Sequence, residues 1–187
     1  MLIHHSNLIE DVDEPDEDKR STAAWFYIIG QNQLTYHNIM AMHGIIMSEK
    51  LNAKEAGHVR TQFVTVGGRA CPAPDFARDL LNNWILDMEH YATLDPKEMH
   101  IRFEHIHPFI DGNGRSGRML MWWHESKLGR EPTFINYRKR SDYYEWFDPK
   151  PQLKPIPKFK SEDEEREFWQ THDSTWYVPW SKANKEL

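Results

Sequence analysis

His107-Pro108-Phe109-Ile110-Asp111-Gly112-Asn113-Gly114-Arg115-Ser116-Gly117-Arg118 is the stretch in which this chain concentrates its chemistry. A candidate base, a carboxylate, a Gly-Asn-Gly turn and two arginines follow one another, and Met119, Leu120, Trp122 and Trp123 come straight after. Apolar residues placed so predict a buried helix that begins as the glycines end. A helix start presents free backbone N–H groups, and a glycine-loosened approach lets an anion reach them. Arg115 and Arg118 are three apart, so on a helix they share a face and can grip the same anion. Asp111 stands just before the turn, where a hard divalent cation bridging phosphates takes an oxygen ligand. His107 ends the preceding helix, placed to accept a proton from an incoming hydroxyl. Together these residues read as a nucleotide-phosphate site with a base beside it.

The stretch resembles the signature of the Fic (Fido) family, HxFx(D/E)GNGRxxR, and matches it at every specified position. The resemblance implies an all-α, mainly helical Fic fold with one small β-hairpin flap. It also implies an enzyme, a protein adenylyltransferase that moves AMP from ATP, with Mg²⁺, onto a Ser, Thr or Tyr hydroxyl of a target protein. Position by position, His107 would be the catalytic base and Asp111 the Mg²⁺ ligand. Gly112, Asn113 and Gly114 would form the anion hole, with the Asn113 amide on a phosphate oxygen. Arg115 would bind the bridging phosphates and Arg118 the γ-phosphate. Members of this family also transfer UMP or phosphate, or remove AMP; the intact Gly112 favours nucleotidyl transfer.

Two further segments take a role from the same resemblance. Alternation around Gly67-Gly68 predicts a β-hairpin from the residues alone. Preceded by Ala56-Gly57-His58-Val59-Arg60, it resembles the family's flap, where Phe63, Val64, Thr65, Val66, Gly67 and Gly68 would pair edge-on with an extended target segment. The family's inhibitory helix carries Ser/Thr-x-x-x-Glu followed by Gly or Asn, and its glutamate pairs with the second arginine. Ser6 and Glu10 fit that core, with Asp11 as a departure. Ser141 with Glu145 and Ser161 with Glu165 share the spacing, but Leu8-Ile9 before Glu10 favours the N-terminal candidate, and Glu165 is accounted for by helix capping.

Composition bounds the rest. Eight Trp and nine Phe in 187 residues are the makings of a folded core, not of a disordered chain. A formal net charge of −6 argues against general binding to nucleic acid or membrane surfaces. The single cysteine, Cys71, excludes an internal disulfide and fits a reducing, cytoplasmic setting. No apolar run reaches membrane-spanning length, and no signal-peptide pattern opens the chain.

In chain order, residues 1–20 read as an N-terminal segment holding Glu10 and an acidic run expected as a solvated loop. Residues 21–147 read as the catalytic domain. Ser21 is expected to cap a helix ended by Gly30, and a second helix from Thr35 places Ile39, Met42, His43 and Ile46 inward. His43 is read as a core histidine, not a ligand. Pro72, Pro74 and Asp75 open a helix expected to bury Phe76, Leu80, Leu81, Trp84, Ile85, Met88 and Tyr91. Asp95-Pro96-Lys97-Glu98 is a helix start, and Met99, Phe103 and Ile106 form the buried stripe of the helix that delivers His107. The spacing of His100, His105 and His107 is not that of a zinc helix. An oxygen is missing at the position of Arg115, so Asp111 does not open a calcium loop. Phe109 reads as a core anchor for the loop.

Residues 148–187 read as a Pro-rich linker and tail, in which Ser161 caps one short helix. Residues 154–184 resemble the leading segment of CopG-type ribbon-helix-helix antitoxins. That likeness implies an antitoxin partner or self-association through the tail, and a rival reading of the chain as a toxin–antitoxin-like binding protein with an idle site.

Overall fold

The computed structural model describes residues 1–147, 156–159 and 161–171. The chain divides into two compact units, Met1–Phe147 and Asp148–Leu187. The first is mainly helical: α1 (Leu2–Ile9), α2 (Pro15–Ile29), α3 (Tyr36–Met47), a hairpin β1 (Thr65–Val66) and β2 (Arg69–Ala70), α4 (Pro74–Asp87), α5 (Pro96–Ile106), α6 (Asn113–Lys127) and α7 (Arg140–Tyr144). The second holds α8 (Glu162–Thr171), whose Glu164 N–H is accepted by the Ser161 hydroxyl. Pro149, Pro151, Pro155, Trp176 and Trp180 of the expected linker and tail lie outside the described residues.

α6 is the axis of the fold. Every residue from Arg115 to Glu125 is buried, so a helix carrying two arginines is enclosed on all sides. Its neighbours α2, α3 and α5 supply Ala24, Ile28, Ile39, Met42, Met99 and Phe103 to the core. The buried indoles need acceptors for their N–H groups, and each finds a carbonyl: Trp84 that of Met99, Trp122 that of Thr133, Trp123 that of Gln31. The helix stops with Gly129 left-handed (φ 68) and Arg130 N–H returning to the Glu125 carbonyl. It begins at Asn113, inside the Gly-Asn-Gly turn and not after it.

The helix starts follow their residues. Thr35 and Asn38 form a reciprocal capping box on α3. Asp95 caps α5 by accepting the Glu98 N–H, with Pro96 in the first turn.

The acidic run departs from expectation. It opens α2, with Pro15 in the first turn and Asp16, Glu17 and Asp18 at the positive end of the helix dipole. A charge run is a solvated loop only when its charges face outward. Here Glu17 is fully buried, and Asp18 accepts a hydrogen bond from Asn7 at 2.7 Å. Ser21 is not a cap but an interior residue, donating to Asn7 Oδ1 at 3.0 Å. That Ser21–Asn7–Asp18 set, buried at Ser21 and Asn7, fastens α1 to α2.

On α4, Leu81, Trp84 and Met88 are buried as expected, while Phe76 and Leu80 are exposed at 64% and 37%. The stripe from Ala77 through Leu81 to Trp84 and Met88 covers α5, and a helix this short has room for only one such face.

Candidate active site

The site forms where α5 ends and α6 begins. His107 is the C-cap of α5 in a left-handed conformation (φ 47, ψ 62), an uncommon state for a non-glycine residue and a form of local strain. The strain is held from the flap side. Arg60, 5% exposed, donates to the His107 carbonyl at 2.8 Å. It also donates to the carbonyls of Gln62 and Pro72, one on each leg of the hairpin. One guanidinium thus fixes the flap to the residue that carries the imidazole. Arg60 was visible in the sequence only as part of the flap's lead-in.

The imidazole of His107 keeps Nδ1 buried, and 16% of the side chain is exposed. Burial pulls its pKa below the ordinary histidine value, against the opposing pull of the Glu104 carbonyl. The ring is therefore neutral near pH 7 and able to accept a proton.

The turn beyond is clamped twice. The Asn113 side chain accepts the Phe109 N–H and donates to the Phe109 carbonyl, both at 2.9 Å. Its carboxamide is engaged on both ends, which leaves its main-chain N–H to face an anion. His43 is the second clamp. The Gly57 N–H donates to Nδ1 at 2.9 Å, so the proton of the neutral ring lies on Nε2 and is donated to the Asp111 carbonyl at 3.0 Å. Burial holds its pKa down at about 4, and its ring stacks on Phe109 with centroids 3.7 Å apart. The core histidine is thus also the support of the loop, a role that periodicity could not show.

Gly112 is left-handed (φ 75), and a side chain there would strike Met47. From Asn113 onward the first-turn N–H groups of α6 have no intrahelical partners and carry the positive end of its dipole. The Asp111 carboxylate accepts the Gly112 N–H at 2.6 Å and is otherwise open to solvent. Among the described residues no three His, Cys, Asp or Glu side chains cluster as a metal site.

Both arginines are met by carboxylates from the N-terminal segment. Arg115 donates to Glu17 at 2.9 Å. Burial works against the Glu17 carboxylate, but Arg20, Arg115 and Lys50 outweigh it and hold its pKa below the ordinary value. Arg118 is wholly buried and donates to Glu10 Oε1 at 2.8 Å, with a further bond from Nε to the Ser6 hydroxyl at 2.8 Å. The Glu10 carboxylate lies so close to Gly114 that a methyl group there would overlap its oxygen. A carboxylate accordingly sits against the start of α6, in the place an anion would take. The departure at Asp11 has a physical reason. α1 closes with the Val12 N–H on the Asn7 carbonyl and the Asp11 N–H on that of Leu8, which puts Asp11 at φ 56. Gly, Asn and Asp all tolerate that conformation.

The flap forms as expected, with Thr65 opposite Ala70 and Val66 opposite Arg69. Gly67 and Gly68 both have positive φ, as a tight two-residue hairpin loop requires. Phe63 is 80% and Val66 44% exposed.

Glu104 escaped the sequence reading. Only 12% of its side chain is open, Oε1 has no hydrogen-bond partner among the described residues, and Oε2 lies 3.7 Å from His107 Nδ1. Burial raises its pKa to about 8, although Arg118 pulls the other way. Between the ordinary value of 4.5 and about 8 the folded state holds a proton that the unfolded chain has released. Stability attributable to this group therefore falls as pH rises through that window, by ~1.4 kcal/mol per unit at most. His43 and His100, whose pKa values are depressed to about 4 and about 3, act in the opposite sense below pH 6.5. The expected result is read as a difference: Glu104→Gln gains on wild type in urea titrations between pH 5 and 8, and a pH-independent difference would refute it.

Comparison with known proteins adds to this geometry. Residues 33–124 match the model of the Fic/DOC family, and residues 154–187 that of the CopG antitoxin of type II toxin-antitoxin systems. A protein adenylyltransferase Fic of Drosophila erecta is 30% identical over 185 residues, covering 90% of this chain and 37% of that protein. The Drosophila virilis counterpart is 29% identical, with 38% of its length covered. The chain thus spans well under half the length of these relatives. Among solved structures, Fic-1 (residues 134–508) of C. elegans superposes with a TM-score of 0.64 at 22% identity, over 76% of this chain and 52% of that one. A Fic-domain signalling protein of Bacteroides thetaiotaomicron gives 0.64 at 19%, over 76% and 68%. These likenesses establish a Fic fold.

Proposed function

We propose that this chain, which carries a Fic/DOC family domain over residues 33–124, is a protein adenylyltransferase restrained by its own Glu10. The observation that carries the reading is the Glu10 carboxylate on Arg118 and against Gly114, in the first turn of the helix that follows His107. An anion already occupies the anion site, and it belongs to the chain. Arg118, the first-turn N–H groups of α6 and, once loosened from Glu17, Arg115 are the donors for a triphosphate. Asn113 contributes its main-chain N–H, its side chain being held by Phe109.

In the reaction, the target's Ser, Thr or Tyr hydroxyl gives its proton to Nε2 of His107. The oxygen forms a bond to the α-phosphorus of ATP, and the bond from that phosphorus to the bridging oxygen breaks. Pyrophosphate leaves, and AMP stays on the target. Donors fixed on the developing charge supply most of the rate. Asp111 is a single open carboxylate beside the phosphate donors, which fits Mg²⁺, an ion that takes one or two carboxylates and completes its shell with phosphate and water. Bound there, Mg²⁺ would neutralise the departing pyrophosphate. The exposed β1 edge of the flap, tied to His107 through Arg60, suits an extended target segment whose hydroxyl must arrive at the base.

The match at residues 154–187 supports a second role, a tail that docks an antitoxin-type partner or another copy of the chain. Incubation of the Glu10→Gly protein with ATP labelled at the α or the γ position separates the readings. Protein-bound label from α alone is expected. Label from γ alone would mean phosphate transfer, and none would leave a binding protein with an idle site.

A further inference from the structure

We propose that Tyr143 is the positioning residue that sets Arg118 for the terminal phosphate of a nucleoside triphosphate, through a hydrogen-bond chain ending on His100. The proposal deepens the adenylyltransferase reading and rests on it. Among the described residues Arg118 makes four hydrogen bonds. Nε reaches the Ser6 hydroxyl, and Nη2 reaches both the Ser6 carbonyl and Glu10. Those three partners lie on α1 or at its end, the element whose carboxylate must yield before a phosphate can approach. The fourth bond runs from Nη1 to the Tyr143 hydroxyl at 3.0 Å, from a different part of the chain.

The direction of the chain follows from proton inventory. A guanidinium only donates, so the Tyr143 oxygen accepts, and its own proton is left to be donated. It points to His100 Nε2, 2.9 Å away. That nitrogen must be the acceptor of a neutral ring, which suits a histidine 1% exposed on α5. Tyr143 is itself 4% exposed, with Trp146 and Phe147 packed edge-on against its ring and the Arg118 guanidinium carbon 5.3 Å from its centroid. Nη1 is thereby fixed by buried groups of α5 and α7, and the planar fork keeps Nη2 aimed at the spot that Glu10 now fills.

The choice of partner also matters. A carboxylate in place of Tyr143 would hold the guanidinium equally well but compete for its charge. The neutral Tyr143–His100 pair orients Arg118 and leaves its positive charge to the ligand.

The test uses the full chain in the Glu10→Gly background, with ATP and ADP titrated calorimetrically in the presence of Mg²⁺. ATP binding by the parent is the control for the functional reading, and a parent that takes up no ATP overturns both that reading and this proposal. With the parent binding, Tyr143→Phe keeps the ring and removes the hydroxyl. The expected result is a roughly ten-fold loss of ATP affinity, the size of one bond to a charged group. ADP, which lacks the γ-phosphate, should change by no more than about two-fold, because Nη1 anchoring serves the terminal phosphate. KM for ATP should rise with kcat less affected. Should Tyr143→Phe not fold, His100→Leu, which removes the acceptor of the hydroxyl, is expected to show the same selective loss at smaller size. An equal loss for ATP and ADP, or no loss, overturns the assignment.

Discussion

His107→Ala, made in the Glu10→Gly background, is expected to cut AMP transfer by at least ~10²-fold, the contribution typical of a positioned general base, while ATP binding stays as it was. The two halves of this result have separate causes. On the proposed reading the imidazole is the group that takes the hydroxyl proton. Its ring is kept neutral by burial, and its Nδ1 is buried. The phosphates, by contrast, would be held by Arg118 and the first turn of α6, which the substitution leaves untouched. The carbonyl of residue 107 that Arg60 grips is main chain and survives the change. Alanine at a left-handed position keeps some strain, so a melting curve should accompany the assay. Transfer at near-parental rates would remove His107 from the mechanism. Loss of ATP uptake together with transfer would mean that the side chain binds the nucleotide and does not act as the base.

Glu10→Gly is expected to raise both ATP affinity and transfer, by roughly 5- to 150-fold, the range common for coupling between two competing ligands of one site. The competing ligand here is the chain's own carboxylate, 2.8 Å from a fully buried guanidinium. With 36% of the Glu10 side chain exposed, the ion pair is partly screened, so it can be displaced where a buried pair could not. The same change should lower the melting temperature of the free protein, because Arg118 loses an anionic partner. Saturating Mg-ATP should restore it, since the nucleotide supplies the missing charge. α1 itself stays docked through Asn7, Ser21 and the Tyr144 hydroxyl on the Ile9 carbonyl. A variant with unchanged transfer and unchanged ATP affinity would show that Glu10 is no restraint at all.

His107 closes α5 and Glu10 closes α1, and both are placed by helix C-termini that turn left-handed, at residue 107 itself and at Asp11. The proposed base and the proposed restraint thus both sit where a helix ends in a left-handed residue.

Much of this was legible in the linear chain because its causes are local. The Gly-Asn-Gly turn, the run of Met and Trp after it, the caps at Thr35 and Asp95 and the Gly67-Gly68 loop all act within a few residues. The stretch from His107 to Arg118 therefore announced the helix start and suggested the chemistry proposed for it. Local rules misread the acidic run, because whether a charge is solvated depends on what faces it. They also overfilled α4, placing Phe76 and Leu80 in a core that has room for one stripe of that helix.

What the sequence determined by itself is the run of helices, the hairpin and the residue types of residues 107–118, which follow from short-range propensity, capping and turn chemistry, while the Fic fold was implied by the resemblance that the one dense motif carries. Only the tertiary structure decided which groups meet. Glu17 on Arg115, Glu10 and Tyr143 on Arg118, Arg60 on the His107 carbonyl and His43 beneath Asp111 join residues far apart in the chain. Such pairings are fixed when burial removes water and leaves each charge or polar group to find its partner across the packed helices.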